Sequence, residues 1–285
     1  MTTGRSEVPL RRLPVAQRVS RALLPIYTAL VVMYLFLPIA VMIAFSFNDP
    51  RGRQNITWQG FTMENYLDVW SRPDITGPML SSLIVAFVAT GVATALGTLI
   101  GLALTRYEFR GQGPLNLLIY VPMATPEVIL GASLLAMWVT VGVQRGLETI
   151  IIAHVMFNIS FVVVTVRARI AGFNRSLEEA AMDLGADEWT TFRKITFPLI
   201  FPGIMAAALL AFALSIDDYV ITSFVAGQTV TFPLWVYGAS RFGVPPEVNV
   251  LGTLIFVVAF GFIALQILWS RRGRGPATRP IEVES

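Results

Sequence analysis

Three acidic residues interrupt apolar runs in this chain: Glu127, and the adjacent Asp217 and Asp218. A carboxylate is costly to hold in hydrocarbon, so acids inside such runs usually serve a cation, a proton or a partner charge. Glu127 follows Pro126, with Pro122 a turn earlier, and these prolines predict a kink that leaves backbone carbonyls facing a cavity. At about 1.5 Å per residue, Glu127 would lie roughly 18 Å along its helix, and Asp217 and Asp218 about 27 to 29 Å along theirs. Acids at two depths would form steps for a cation crossing from outside. Other readings stay open: Asp217 and Asp218 can cap a helix end in solvent, and Glu127 can pair with His154 or with a group in a partner subunit. A single His and no Cys leave no conventional metal site, and His154 reads more readily as a hydrogen-bonding group of the bundle.

A second polar feature is the charged island at residues 176–203, SLEEAAMDLGADEWTTFRKITFPLIFPG. Ser176 with Glu179 has the spacing of a capping box, and Glu178, Glu179 and Asp183 put negative charge early in a helix, where the macrodipole favours it. Ala180 and Ala181 leave a bare patch that another protein can approach closely, and Gly185 suits a left-handed helix end. A second short helix over 187–196 would carry Trp189, Phe192 and Ile195 on one apolar stripe. Pro198 and Pro202 then open the next helix, where a missing N–H costs least. By physics alone, a docking handle and an ordinary helical loop fit equally well.

The elements that must position these residues are membrane helices. Hydrophobic residues make up 55% of 285 and charged ones only 14%, with mean hydropathy +0.66, which fits a chain immersed in lipid. Six runs are long enough to span a bilayer, which needs about 20 helical residues. They lie at 24–47, 79–104, 115–141, 147–166, 199–224 and 249–270. The first is too long for a signal-peptide core. Arg and Lys concentrate in the N-terminal arm, the loops after spans two and four, and the tail, whereas the opposite side has only Arg51, Arg53, Arg72, Arg145 and Arg241. By the positive-inside rule both termini and the charged island face the cytoplasm, and the net charge of +3 reflects this bias, not nucleic-acid binding. Gly97 and Gly101 offer a close helix contact in span two. Arg106 and Arg110 mark the membrane edge, and Trp58, Phe61, Tyr66 and Trp70 give the outer loop 48–78 an interfacial or partner-binding character.

Glu179, Ala180, Ala181, Gly185, Ile195 and Pro198 reproduce the spacing of the EAA motif, and by it the chain resembles the membrane subunits of binding-protein-dependent ABC importers. Phe197 stands where that motif usually has Leu. The segments 58–62 (WQGFT), 107–111 (YEFRG), 161–166 (FVVVTV), 214–220 (LSIDDYV) and 243–249 (GVPPEVN) resemble the permeases of spermidine/putrescine importers, a likeness running from about residue 25 to 270. The resemblance implies an all-α membrane protein with the type I ABC importer permease fold and six transmembrane helices over 24–270. A cytoplasmic arm at 1–23, coupling helices at 176–196 and a cytoplasmic tail at 271–285 would complete it. It further implies a bacterial cytoplasmic (inner) membrane location, a second permease subunit, an ATPase dimer that binds ATP and Mg, an extracytoplasmic substrate-binding protein and a polyamine substrate. Trp58, Glu127, Ser215, Asp217 and Asp218 would contact or pass that substrate, with Glu127 where the related segment has Asp.

No GxxxxGK[ST] loop is present, since the only Lys is Lys194 after Phe192 and Arg193, and no HExxH motif occurs. The expectation is therefore a permease subunit with no enzymatic site, cofactor or metal of its own. Two rivals remain: an ABC permease for another solute, such as ferric iron or an organic amine, and an ion-coupled secondary transporter.

Overall fold

The computed structural model describes residues 15–52, 54–172 and 174–272. These form twelve α-helices with no strand among them: α1 (Val15–Ser46), α2 (Glu64–Asp68), α3 (Pro73–Arg106), α4 (Gln112–Ala124), α5 (Glu127–Val141), α6 (Leu147–Ala171), α7 (Ser176–Asp183), α8 (Glu188–Thr191), α9 (Phe197–Ile216), α10 (Val220–Val225), α11 (Phe232–Ser240) and α12 (Pro246–Arg272). The chain divides into two compact units, one of residues 70–242 and one of residues 1–69 with 243–285. The expected arm and tail fall largely outside the described residues, although α1 reaches back to Val15.

The first unit is built around α6, whose buried face packs against α3, α9, α4 and α10. Helix α3 starts with Pro73, whose lack of an N–H is harmless at a helix start, and Arg106 lies in its last turn, where a cation suits the dipole. From Ala86 to Gly101 its buried residues are all small, namely Ala86, Ala89, Ala93, Gly97 and Gly101. A Cβ on Gly97 would lie 2.7 Å from Val162 Cβ on α6, so the two helices meet at backbone distance there. Without a strong hydrophobic drive between helices in lipid, such close van der Waals contact is a main source of association. Val162, Val166, Ile200, Ile204, Ala207 and Ala211 continue this core onto α9.

The six expected spans correspond to α1, α3, α4 with α5, α6, the α8–α9 stretch and α12, with changed bounds. Helices Leu23–Ser46, Pro73–Arg106, Leu147–Ala171 and Glu188–Ile216 are long and apolar enough to cross a membrane, and α12 contributes the shorter apolar stretch Pro246–Gly261. The third expected span is broken outright: α4 and α5 meet at 106°. Pro126 forces Thr125 into extended backbone, which ends α4. The expected depth of Glu127 assumed a straight helix and does not survive this turn. The fifth span ends at Ile216, not 224, because residues 217–219 leave the helix before α10.

In the second unit α1 packs on α12, and Met42 lies against Gly252. The described residues of the loop 48–62 are mostly irregular and are organised by Asn48, which is fully buried. Asn48 Nδ2 donates to Asn55 Oδ1 (2.6 Å) and to Thr57 O (2.9 Å), while its Oδ1 accepts from Gln59 N (2.7 Å). Phe47 stacks on Phe61, and α2, of five residues, is the only α-helix among the described residues between Ser46 and Pro73.

Replacing Gly97 by Leu should force α3 and α6 apart at a cost of about 1–3 kcal/mol, the usual penalty for overpacking. Gly91→Ala, where an added Cβ meets nothing within 4 Å, is the control. Melting temperature in detergent should fall for the first variant only.

Candidate functional site: a broken helix with acids and a charged island

Two polar sites emerge from these helices. At the α9–α10 break, the side chain of Asp218 is 10% exposed and acts as a local anchor. Its Oδ2 accepts from Thr222 N (2.8 Å) and Thr222 Oγ1 (2.7 Å), and Oδ1 accepts from Ile221 N at 3.4 Å. It thus satisfies the N–H groups that a helix start leaves bare. His154 Nε2 on α6 lies 3.3 Å from Asp218 Oδ2 and 3.0 Å from Thr222 Oγ1. One turn further along α6, Asn158 Nδ2 donates to Ser215 Oγ at 2.7 Å. The acid beside His154 is therefore Asp218 and not Glu127.

Asp217 differs from its neighbour. It ends α9, is exposed, and takes no part in the His154 network. Two residues on, Tyr219 packs its ring 4.6 Å from that of Tyr237 on α11, and the Arg241 guanidinium lies 5.0 Å from the Tyr237 ring centre. Glu127 is exposed in the first turn of α5 and makes no hydrogen bond or ion pair among the described residues. Trp58, in the other unit, is half exposed and set edge-on to Phe45. Of the five expected pathway residues, Ser215, Asp217 and Asp218 share the break; Ser215 and Asp218 are already engaged by α6.

The second site is the charged island. The expected capping box is absent: α7 has no side-chain cap from Ser176, and Asn174 Oδ1 instead accepts from Ser176 N at 3.1 Å. Gly185 adopts φ +89°, the left-handed conformation that ends α7 without strain. The expected separate helix over 187–196 is not separate. Asp187 caps α8 by accepting from Thr190 N (3.3 Å), a π turn follows at Phe192–Thr196, and the helical path runs on to Ile216. The wider turn ends two residues before Pro198, whose missing N–H would break a regular α ladder there. The aromatic stripe follows this path through Trp189, Phe192, Phe197 and Phe201, with Ile195 half-buried.

Glu179 and Ala180 are exposed on α7, and Ala181 is half-buried. Glu178, which sequence reasoning treated only as helix-terminal charge, is 6% exposed. Its Oε1 accepts hydrogen bonds from Arg106 Nη2 and Thr196 Oγ1. Burial pushes the Glu178 carboxyl up, but the Thr196 and Arg106 hydrogen bonds outweigh it and hold the group below the ordinary glutamate value. A cleft of about 690 Å³ opens beside this contact, with Tyr107, Glu179, Met182, Trp189 and Phe192 on its walls.

Residues 93–271 match the family described as "Binding-protein-dependent transport system inner membrane component". The chain belongs to that family. Among relatives of this transport component, the spermidine/putrescine transport system permease protein PotC of Haemophilus influenzae is 36% identical over 240 residues, 84% of this chain and 93% of the relative. PotC of Escherichia coli K12 is 38% identical over 84% of this chain and 90% of its own length, and the putrescine transport system permease protein PotI of the same strain is 38% identical over 82% and 86%. A bacterial ABC transporter for alginate import shares the fold, with a TM-score of 0.65 at 15% identity over 92% of this chain and 99% of its own. The MetNI methionine transporter gives 0.57 at 19% identity over 69% and 95%. The protein is thus a membrane-embedded permease of the binding-protein-dependent ABC type, and the all-helical type I fold implied by the resemblance is present.

In this permease Asp218 and Asp217 should separate by experiment. Asp218→Ala strands the Ile221 and Thr222 donors, at about 1–3 kcal/mol for each buried group left unpaired, and should lower the melting temperature clearly. Asp217→Ala should stay within about 0.5 kcal/mol of the parent. Equal shifts would remove the distinction between anchor and exposed acid.

Proposed function

We propose that this permease is one half of the membrane path of an ATP-driven polyamine importer. The observation that carries the reading is that the match to spermidine/putrescine permeases covers 84% of the chain, far beyond the coupling segment. The α9–α10 break supports it chemically. A polyamine is a flexible apolar stem with several ammonium groups, and Asp217 offers an exposed carboxylate two residues from the Tyr219–Tyr237 pair. Carboxylate attraction and aromatic faces together suit such a cation. In this reading Asp217 and Glu127 meet the substrate directly and Trp58 supplies a further aromatic surface. Ser215 and Asp218 hold the break in shape through Asn158 and His154.

The remaining parts follow the same reading. Both termini and α7 face the cytoplasm, with 1–23 and 271–285 as cytoplasmic arms and 24–270 as the transmembrane domain of a bacterial inner-membrane protein. A second permease lines the other half of the path, and an extracytoplasmic binding protein delivers the substrate. ATP and Mg are bound by a partner ATPase dimer. Glu179, Ala180, Ala181, Gly185, Ile195 and Pro198 mark the segment that receives the ATPase; its closure draws the paired α7 helices together and opens the path outward, and hydrolysis resets it. The exposed Glu179 and Ala180 beside an aromatic cleft support that docking role.

Asp217→Asn should lower spermidine uptake by about tenfold or more, the scale of one lost charged contact, while the complex still assembles. Undiminished uptake would return Asp217 to a solvated helix end. Glu179→Lys should abolish uptake in a folded bundle; wild-type transport by that variant would refute docking through α7. Competition among putrescine, spermidine and spermine in proteoliposomes identifies the cargo, and uptake that collapses with the proton gradient and needs no ATPase would favour a secondary transporter.

A further inference from the structure

Glu178 is the one acid of α7 that faces inward. Its neighbours Glu179 and Asp183 are exposed, as a solvated or docking face would be, yet Glu178 is 6% exposed and shares one oxygen between two elements far apart in sequence. Arg106 comes from the last turn of α3, and Thr196 from the π turn that leads into α9. The carboxylate thus joins three pieces of backbone: the docking helix and the near ends of two long apolar helices. Thr196 is itself buried and lies two residues before Pro198, where the helix ladder is already weakened. Arg106 is only part-exposed, so the pair is shielded from the solvent that weakens surface ion pairs.

We propose that Glu178 is a positioning residue that pins α7 to the ends of α3 and α9, so that displacement of α7 is delivered to both helices as one rigid movement. The proposal rests on the reading of α7 as the ATPase contact and deepens it: Glu179 faces the partner, and Glu178 faces the bundle. Helix α7 spans only eight residues, and the turn at Gly185 gives it a pliable exit. A short helix between a loop and a turn would otherwise rock on the bundle surface, and motion received from outside would be lost in that rocking.

The test uses the full transporter, with both permeases and its ATPase, in proteoliposomes. Glu178→Ala and Arg106→Glu should each retain the ATPase and its ATP turnover but lower spermidine uptake per ATP by about tenfold, the range seen when one contact of a coupling network is removed. The swap Arg106→Glu with Glu178→Arg should recover much of that ratio. Glu179→Lys, run in parallel, separates the two ideas: an impaired Glu179→Lys with a normal Glu178→Ala leaves docking standing and overturns the pin. Loss of the ATPase from Glu178→Ala would make Glu178 a docking contact and would equally overturn it.

A second measurement needs no cargo. The chain has no cysteine, so spin labels can be placed singly at the exposed positions Tyr107, beside Arg106, and Leu184, just beyond α7, through Tyr107→Cys and Leu184→Cys. Pulsed dipolar spectroscopy on the assembled complex should give one narrow distance with Glu178 present, a broad distribution with Glu178→Ala, and a narrowed one in the charge swap. A distribution unchanged by Glu178→Ala would overturn the pin.

Discussion

A polar group that leaves water for the interior of a membrane bundle has to find its partner on a neighbouring helix, and α6 meets that constraint twice. Asn158 reaches Ser215 and His154 reaches the Asp218–Thr222 pair, which ties the central helix to the one place where the α9 path is broken. Interhelical hydrogen bonds of this kind average about 0.6 kcal/mol in membranes and reach about 1.7 kcal/mol at most. Their value here is geometric, because they fix where α9 stops and α10 starts. The carboxylate that stabilises the start of α10 is also the one beside His154, so the break and the packing of α6 are a single arrangement. Asp217, one residue away, is released to face outward.

The same logic governs the turn between α4 and α5. Non-helical backbone is tolerated at membrane depth only where its polar groups are met by protein or by a water-lined space. Pro126 removes one donor, Thr125 uses both its N–H and its hydroxyl on Val121 O, and Pro126 O accepts from Ile129 and Leu130. The interruption presents Glu127 in the first turn of the next helix, where the macrodipole favours an acid. Both interruptions in this unit thus place an exposed carboxylate at a helix terminus.

At the other polar site, small residues and a buried charge divide the work. Gly97 brings α3 against α6 at Val162, and further along α6 the Arg169 side chain lies over Gly203 while its guanidinium donates to Leu199 O on α9. Helix α3 is therefore held to α6, and the last turn of α6 to the first turn of α9. Helix α7 then joins this frame through Glu178 while Glu179 and Ala180 remain exposed, so one short helix has an inner face held to the bundle and an outer face open to solvent.

Much of this was legible in the residues. Apolar runs of about 20 residues announced membrane helices because hydrocarbon permits little else, and the fixed spacing from Glu179 to Pro198 announced the family. Gly185 marked the end of α7, since a left-handed residue there is nearly always Gly. What the sequence determined by itself was local: which stretches are helical, where small residues permit close approach, and which acids sit in apolar surroundings. Only the tertiary structure decided that Asp218 is an anchor and Asp217 is exposed, that Glu178 turns inward while Glu179 turns out, and that Pro126 breaks a helix where a kink was expected. The physical reason is that two neighbouring acids of equal intrinsic character differ only in what other helices bring to them. His154, Thr196 and Arg106 lie from 18 to 72 positions away from the acids they meet, beyond the reach of any local pattern.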